Sequence, residues 1–287
     1  MKIEFLGTGG AMAIPRPLCQ CAVCIEARKK GVPYSRSGPS VFVHGPNVLI
    51  DTPEDSYMQL NRSQISTIDG VFYSHWHPDH VMGRRVLESV NADWCNYPPK
   101  GTTTDVYLPE QVAIDFQSRL GTGEHLAFFE SQDYIALHKL KDGQKVTIND
   151  VTITPFRLSE DYVYAFLFEG DGKRVLIAPD ELYGWEPPEL GDLDLAILPT
   201  GICEFHPLTG ERQISPDHPV LKEEATFRQT LAIIEKLQVK EVYLTHLEEP
   251  DQLSYDDLKI VEDTFQYDKK ISFAFDTLTI NLEKDLV

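Results

Sequence analysis

The stretch SHWHPDH, residues 74–80, sets His75, His77, Asp79 and His80 within six consecutive positions. His75 and His77 lie two apart, so in an extended segment their rings share a face. Asp79 and His80 follow at the turn into a helical pattern, HVMGRRVLESV (80–90), and can point back at the same volume. Imidazole with carboxylate suits zinc, iron or manganese, and ligands this dense in a loop after a strand predict two adjacent ions.

Working outward, the cluster ends the strand-like run GVFYSH (70–75), which follows KIEFLG, SVFVHG and NVLIDT and a helix-like stretch near 54–62. DVYLPE (105–110) reads as a further strand end. From about 134 to 178 the pattern is mostly strand: DYIALHKL, QKVTIND, VTITPFRL, YAFLFEG and KRVLIAPD, with DG and NDV as turns. LDLAILPT (193–200), a helix at about 220–237 carrying Phe227, Leu231, Ile234 and Leu237, and EVYLTH (241–246) complete it. No internal repeat or linker breaks the chain, and residues 199–219 form the best candidate for a long functional loop. Two β-rich halves with helices outside predict an α/β sandwich in a single domain spanning 1–287.

Composition narrows the function. The 26 basic and 45 acidic residues give a net charge of −19, a field that repels polyanions, so long nucleic acid and anionic membrane surfaces are poor partners. No apolar run reaches the length of a membrane span, and MKIEFLGTGG lacks a signal-peptide core, so a cytoplasmic protein is expected. Five cysteines are too few and too unevenly placed for a secreted disulfide scaffold.

These landmarks, taken in order, resemble the metallo-β-lactamase superfamily, whose signature is HxHxDH. LIDT supplies Asp51, at a position that supports the site by hydrogen bonds in that family. VLIAPD supplies Asp180, matching the bridging carboxylate, and VYLTH supplies His246, matching the late histidine ligand. The resemblance runs from the first strand to about residue 250. It implies a four-layer αββα sandwich with His75 and His77 on one ion, Asp79, His80 and His246 on the other, and Asp180 shared. The family's remaining histidine is missing from VTITPFRLSEDYVYAF (151–166), where its position falls on Glu160 or else Asp161. A carboxylate there favours a harder ion such as Mn²⁺, and the alternative is a solvated Glu160 beside a weakened site. His125 and His138 sit in ordinary segments and are not expected as ligands.

CQCAVC (19–24) brings Cys19, Cys21 and Cys24 together as the chain enters a helix, enough thiols to wrap one tetrahedral ion. A redox reading of the Cys21–Cys24 CxxC competes, but the third thiol and the lack of a thioredoxin-like pattern favour zinc. The run, after the GTGG turn at 7–10, resembles the phosphonate-pathway cyclic phosphodiesterases. That likeness implies a structural-zinc loop at about 17–31, with a fourth ligand at Glu249, where the subgroup has histidine. Cys95 and Cys203 read as buried apolar residues.

The same likeness places His206, in GICEFHP, beside the metals to bind a phosphoryl oxygen or protonate a leaving alkoxide. His218 and His44 are explained by a helix entry and a strand end. Trp94 and Tyr97 could stack on a base or sugar, with packing the favoured role. The expected activity is metal-assisted hydrolysis of a small cyclic or nucleotide-like phosphodiester by a metal-bridging hydroxide that Asp79 orients. It needs two catalytic ions (Mn²⁺, Zn²⁺ or Fe²⁺) and one structural Zn²⁺; a homodimer is compatible with it. The alternatives are a thioester, lactone or amide hydrolase, or a non-hydrolytic metal-binding factor.

Overall fold

The computed structural model describes residues 1–159 and 162–282; Glu160 and Asp161 therefore lie outside the described residues. The first sheet takes β1 (Lys2–Gly7), β2 (Ser40–His44), β3 (Val48–Ile50), β4 (Gly70–Phe72), β5 (Thr104–Pro109) and β6 (Ile135–Leu140). The second takes β7 (Val146–Ile148), β8 (Val151–Arg157), β9 (Tyr164–Gly170), β10 (Lys173–Ile177), β11 (Leu193–Pro199), β12 (Val239–Thr245) and β13 (Lys270–Phe273). The last strand, β14 (Thr279–Asn281), returns to pair with β1, giving the orders β14-β1-β2-β3-β4-β5-β6 and β13-β12-β11-β10-β9-β8-β7.

Both sheets are mixed. The run β3 to β6 is parallel, as is β10 to β13, and the remaining pairings are antiparallel. The inner faces share one apolar core, with Phe5, Val41 and Phe72 from the first sheet against Phe166, Phe168, Val175 and Ile197 from the second. Alternate residues of the same strands, Leu176, Ala196, Leu198 and Val242, face outward into a second core. Burial on both faces explains why LDLAILP is nearly continuous in apolar residues rather than alternating.

Helices cover both outer faces. They are α1 (Ala22–Lys30), α2 (Ser56–Arg62), α3 (Pro78–Val81), α4 (Val86–Asn91), α5 (Glu110–Ser118), α6 (Thr122–Ser131), α7 (Phe227–Lys236) and α8 (Tyr255–Asp263). Val112, Phe116, Leu126 and Phe129 of α5 and α6 join the first core; Ile233, Ile234, Leu258 and Val261 of α7 and α8 join the second. The architecture is the expected four-layer αββα sandwich. Among the described residues no helix is long and apolar enough to cross a membrane.

Three local readings differ. HVMGRRVLESV is divided between two short helices, and between them the Gly83 N–H donates to Thr52 O at 2.9 Å instead of to a helical carbonyl, where a Cβ would lie 1.8 Å from the Pro53 carbonyl oxygen. The helix expected from residue 220 begins at Phe227, where Thr226 and Gln229 make a reciprocal capping box. Trp94 and Tyr97 do not pack: they are 81% and 100% exposed, on a loop held by hydrogen bonds to Asp93. Cys203 is buried as expected, whereas Cys95 is exposed on that same loop.

Candidate metal centre

Parallel strands that end at the same level deliver side chains to one edge of the sandwich. Asp51 follows β3, His75 and His77 follow β4, Asp180 follows β10, and His246 follows β12. Asp79 and His80 ride on α3, whose entry Pro78 fixes at the first helical position. Asp51 and His246 hold left-handed backbone, with φ of 58° and 54°, conformations costly for non-glycine residues and concentrated at functional sites.

Two groups of ligand atoms result, each within 4.8 Å: His75, His77 and Asp180, and Asp79, His80 and His246. Asp180 lies between them. Its Oδ2 is 3.3 Å from His75 Nε2 and 3.6 Å from His80 Nε2, while its Oδ1 is 3.5 Å from His246 Nε2. Asp79 Oδ2 stands 3.4 Å from both His80 Nε2 and His246 Nε2. A tetrahedral ion with bonds of about 2.0–2.1 Å has ligand-to-ligand edges of roughly 3.3 Å, so these separations fit a metal. His75 Nε2 is fully buried without a hydrogen-bond partner among the described residues, which a coordinated ion would remedy.

The far sides of the His75 and His80 rings are supported. His75 Nδ1 is 2.9 Å from Ser74 Oγ, and His80 Nδ1 is 2.7 Å from Asp51. Asp51 also accepts from the Ser74 N–H at 2.8 Å and the Ser74 hydroxyl at 2.6 Å. Partners at Nδ1 leave Nε2 directed at the centre.

Charge follows the same pattern. Burial pushes the Asp79 carboxyl up, but His80 and His246 outweigh it and hold it below the usual carboxylate range. Burial likewise opposes the charge on Asp180, and His246 and His75 overcome it. Burial pulls His246 down, yet Asp180 and Asp79 raise it to about 10. His77, desolvated beside His75, falls to about 4. Carboxylates concentrated here call for cationic charge, and a carboxylate–imidazole donor set suits a divalent ion.

Cys19, Cys21, Cys24 and Glu249 form a third group within 4.8 Å. Glu249 Oε1 lies 3.1, 3.2 and 3.9 Å from the sulfurs of Cys19, Cys21 and Cys24. These distances bracket the edge of roughly 3.6 Å expected between thiolate and carboxylate on zinc. The N–H groups of Cys21, Cys24 and Arg16 point at the sulfurs of Cys19, Cys21 and Cys24 at 3.4, 3.4 and 3.2 Å. The donor set fits zinc.

His206 has a different setting. Its Nδ1 accepts from the Leu208 and Thr209 N–H groups, and it lines a cavity of about 460 Å³ with Phe205, Arg228 and Phe265, none of them in a metal group. Two residues the motifs did not indicate stand at the centre. The Tyr162 ring lies 5.5 Å from the His77 ring. Glu248 Oε1 lies 3.6 Å from His246 Nδ1, and burial raises its carboxyl to about 7. The one sequence signal for Glu248 is its place between His246 and Glu249.

A four-layer αββα sandwich with histidine and aspartate groups at its strand ends defines a metallo-β-lactamase-fold protein, a class that works with divalent metal ions and supports a hydrolase reading. The chain belongs to the Beta-lactamase superfamily domain family, whose model matches residues 46–247. It is 24% identical over 200 residues to ribonuclease Z of Thermococcus gammatolerans, an alignment covering 68% of this chain and 55% of that protein. Ribonuclease Z of Thermococcus kodakarensis is 25% identical over 200 residues, with the same coverage. The chain thus spans about half the length of the curated relatives it matches. A solved diphosphatase from the PhnP family shares 24% identity at a TM-score of 0.71, covering 99% of this chain and 98% of that one. Zinc-bound PqqB from Methylobacterium extorquens shares 15% at a TM-score of 0.70, covering 98% and 100%. At these identities the structural likenesses show the fold.

Proposed function

We propose that this chain is a metal-dependent phosphodiesterase acting on small cyclic or nucleotide-like diesters. The observation that carries the reading is Asp180, whose carboxylate stands between the groups, with Oδ2 facing both His75 and His80 and Oδ1 facing His246, and so would be shared by two ions. His75, His77 and Asp180 would hold one ion, with Glu160 the proposed further ligand; Asp79, His80, His246 and Asp180 would hold the other. Divalent ions there would polarise a phosphoryl oxygen and make bound water acidic enough to react near neutrality. Cys19, Cys21, Cys24 and Glu249 would hold a structural zinc in the loop at about 17–31.

The chain's own groups then orient and enclose. Asp79, held beside His80 and His246, keeps an anionic oxygen at the centre to orient the attacking water. Asp51 keeps His80 in one tautomer. Tyr162 and Trp76, with ring centroids 6.3 Å apart, wall the His77 side and offer an apolar surface to the diester's organic part. Both the diphosphatase and the ribonucleases among the similar proteins cleave at phosphorus, which supports a diester over a carbonyl substrate.

Metal counting with activity tests the proposal. The purified chain is expected to carry about three ions, two at the histidine groups and one on thiolates, and to hydrolyse an aryl phosphodiester. A chain holding only the thiolate ion, and inactive with Mn²⁺, Zn²⁺ and Fe²⁺, overturns it.

A further inference from the structure

We propose that Glu248 is the positioning residue for His246, with the GTGG turn as its anchor. The inference rests on the metal-centre reading of His246. Each carboxylate oxygen of Glu248 has its own backbone donor: Ala11 N–H reaches Oε1 at 2.9 Å and Met12 N–H reaches Oε2 at 2.7 Å. The carboxylate is thereby fixed with Oε1 3.6 Å from His246 Nδ1, leaving Nε2 to face Asp79 and Asp180.

The surrounding backbone locks this arrangement. Leu247 N–H donates to Thr8 O at 2.9 Å, Gly10 N–H to Leu247 O at 3.1 Å, and Glu249 N–H to Met12 O at 2.9 Å. Residues 246–249 are therefore laced to residues 8–12 on both sides of Glu248. Gly10 is where the two segments come closest. A Cβ there would lie 2.1 Å from Glu248 Oε1 and 2.6 Å from His246 Nδ1. Its backbone is outside the left-handed region, so lack of space, not conformational freedom, is what excludes a side chain. His246 needs such support, because its left-handed backbone departs from the line of β12. The Glu248 carboxylate acts on the Nδ1 side of the ring by its charge at 3.6 Å, at longer range than the hydrogen-bonding contacts of 2.9 and 2.7 Å that Ser74 and Asp51 make with His75 and His80.

Cobalt titration of the full chain tests the inference, since Co²⁺ absorption distinguishes thiolate from histidine–carboxylate sites. Glu248→Ala and Gly10→Ala should each weaken the second of the two histidine-site Co²⁺ ions by about 10–100-fold and alter its visible spectrum. The thiolate band should be unchanged, and Glu248→Gln, which keeps an acceptor of the same shape, should recover part of the loss. Gly10→Ala is informative because it displaces the carboxylate without removing it; should it not fold, the Ala and Gln variants at 248 carry the test. Binding within about twofold of the parent, even with lowered thermal stability, would mean that Glu248 only braces the loop. A parent chain with no histidine-site Co²⁺ overturns the metal reading and this inference together; normal binding by every variant overturns this inference alone.

Discussion

Asp180 Oδ2 stands 3.3 Å from His75 Nε2, a nitrogen buried without a hydrogen-bond partner among the described residues, while the other oxygen of the same carboxylate faces His246. One side chain therefore joins two ligand groups, each of which combines residues delivered by both sheets. Asp180→Asn keeps the shape and removes the shared charge. It should lower kcat/KM by at least about 100-fold and reduce metal content, as read by elemental analysis of the purified protein. Full activity with full metal content would exclude a bridging role.

Glu160→Ala addresses the ligand that the motif lacks. If this carboxylate completes the His75–His77–Asp180 group, metal content falls by about one ion per chain while thermal stability stays close to the parent's. Unchanged metal content removes Glu160 from the site.

Cys21→Ser probes the thiolate group. Zinc content should fall by about one ion per chain, and a stability loss of about 2 kcal/mol would lower Tm by roughly 3–4 °C in a chain of this size. Remaining folded protein should keep part of its activity, measured with the catalytic metals restored. Selective loss of activity with zinc retained would point to chemistry at the cysteines themselves.

Asp276→Ala should be among the more destabilising single changes. The buried carboxylate accepts from the Thr8 N–H and hydroxyl, the Ser37 N–H and hydroxyl, and Arg62, at 2.6–2.9 Å. Deleting it strands buried donors and a cation, an effect of about 3–5 kcal/mol measurable by urea unfolding. A loss below about 1 kcal/mol would mean water takes over these donors.

His206→Ala separates the sequence expectation from the observed setting. With the ring held in its own loop turn and facing a cavity outside the metal groups, the change should alter kcat/KM on an aryl diester by less than about threefold. A loss above about tenfold would bring His206 over the reacting phosphorus.

Local spacing was enough for much of this. HxHxDH is legible because four ligands within six residues need only a strand end and one helical turn to converge, and strand periodicity marks most of both sheets. Helices α5, α6 and α8 leave little trace in the sequence. Their short apolar faces carry little signal until the sheet supplies a surface to cover.

What the sequence determined by itself, then, is the order of the ligands along the chain and the sandwich that their strands build. What only the tertiary structure decided is which distant groups hold them in place. Glu248 meets the backbone of Ala11 and Met12 across 237 and 236 positions. Asp276 ties down Thr8 across 268. A spacing motif encodes contacts made within a turn or two of chain. These contacts exist only because β14 returns to β1 and β12 ends beside the GTGG turn, and packing alone brings those segments together.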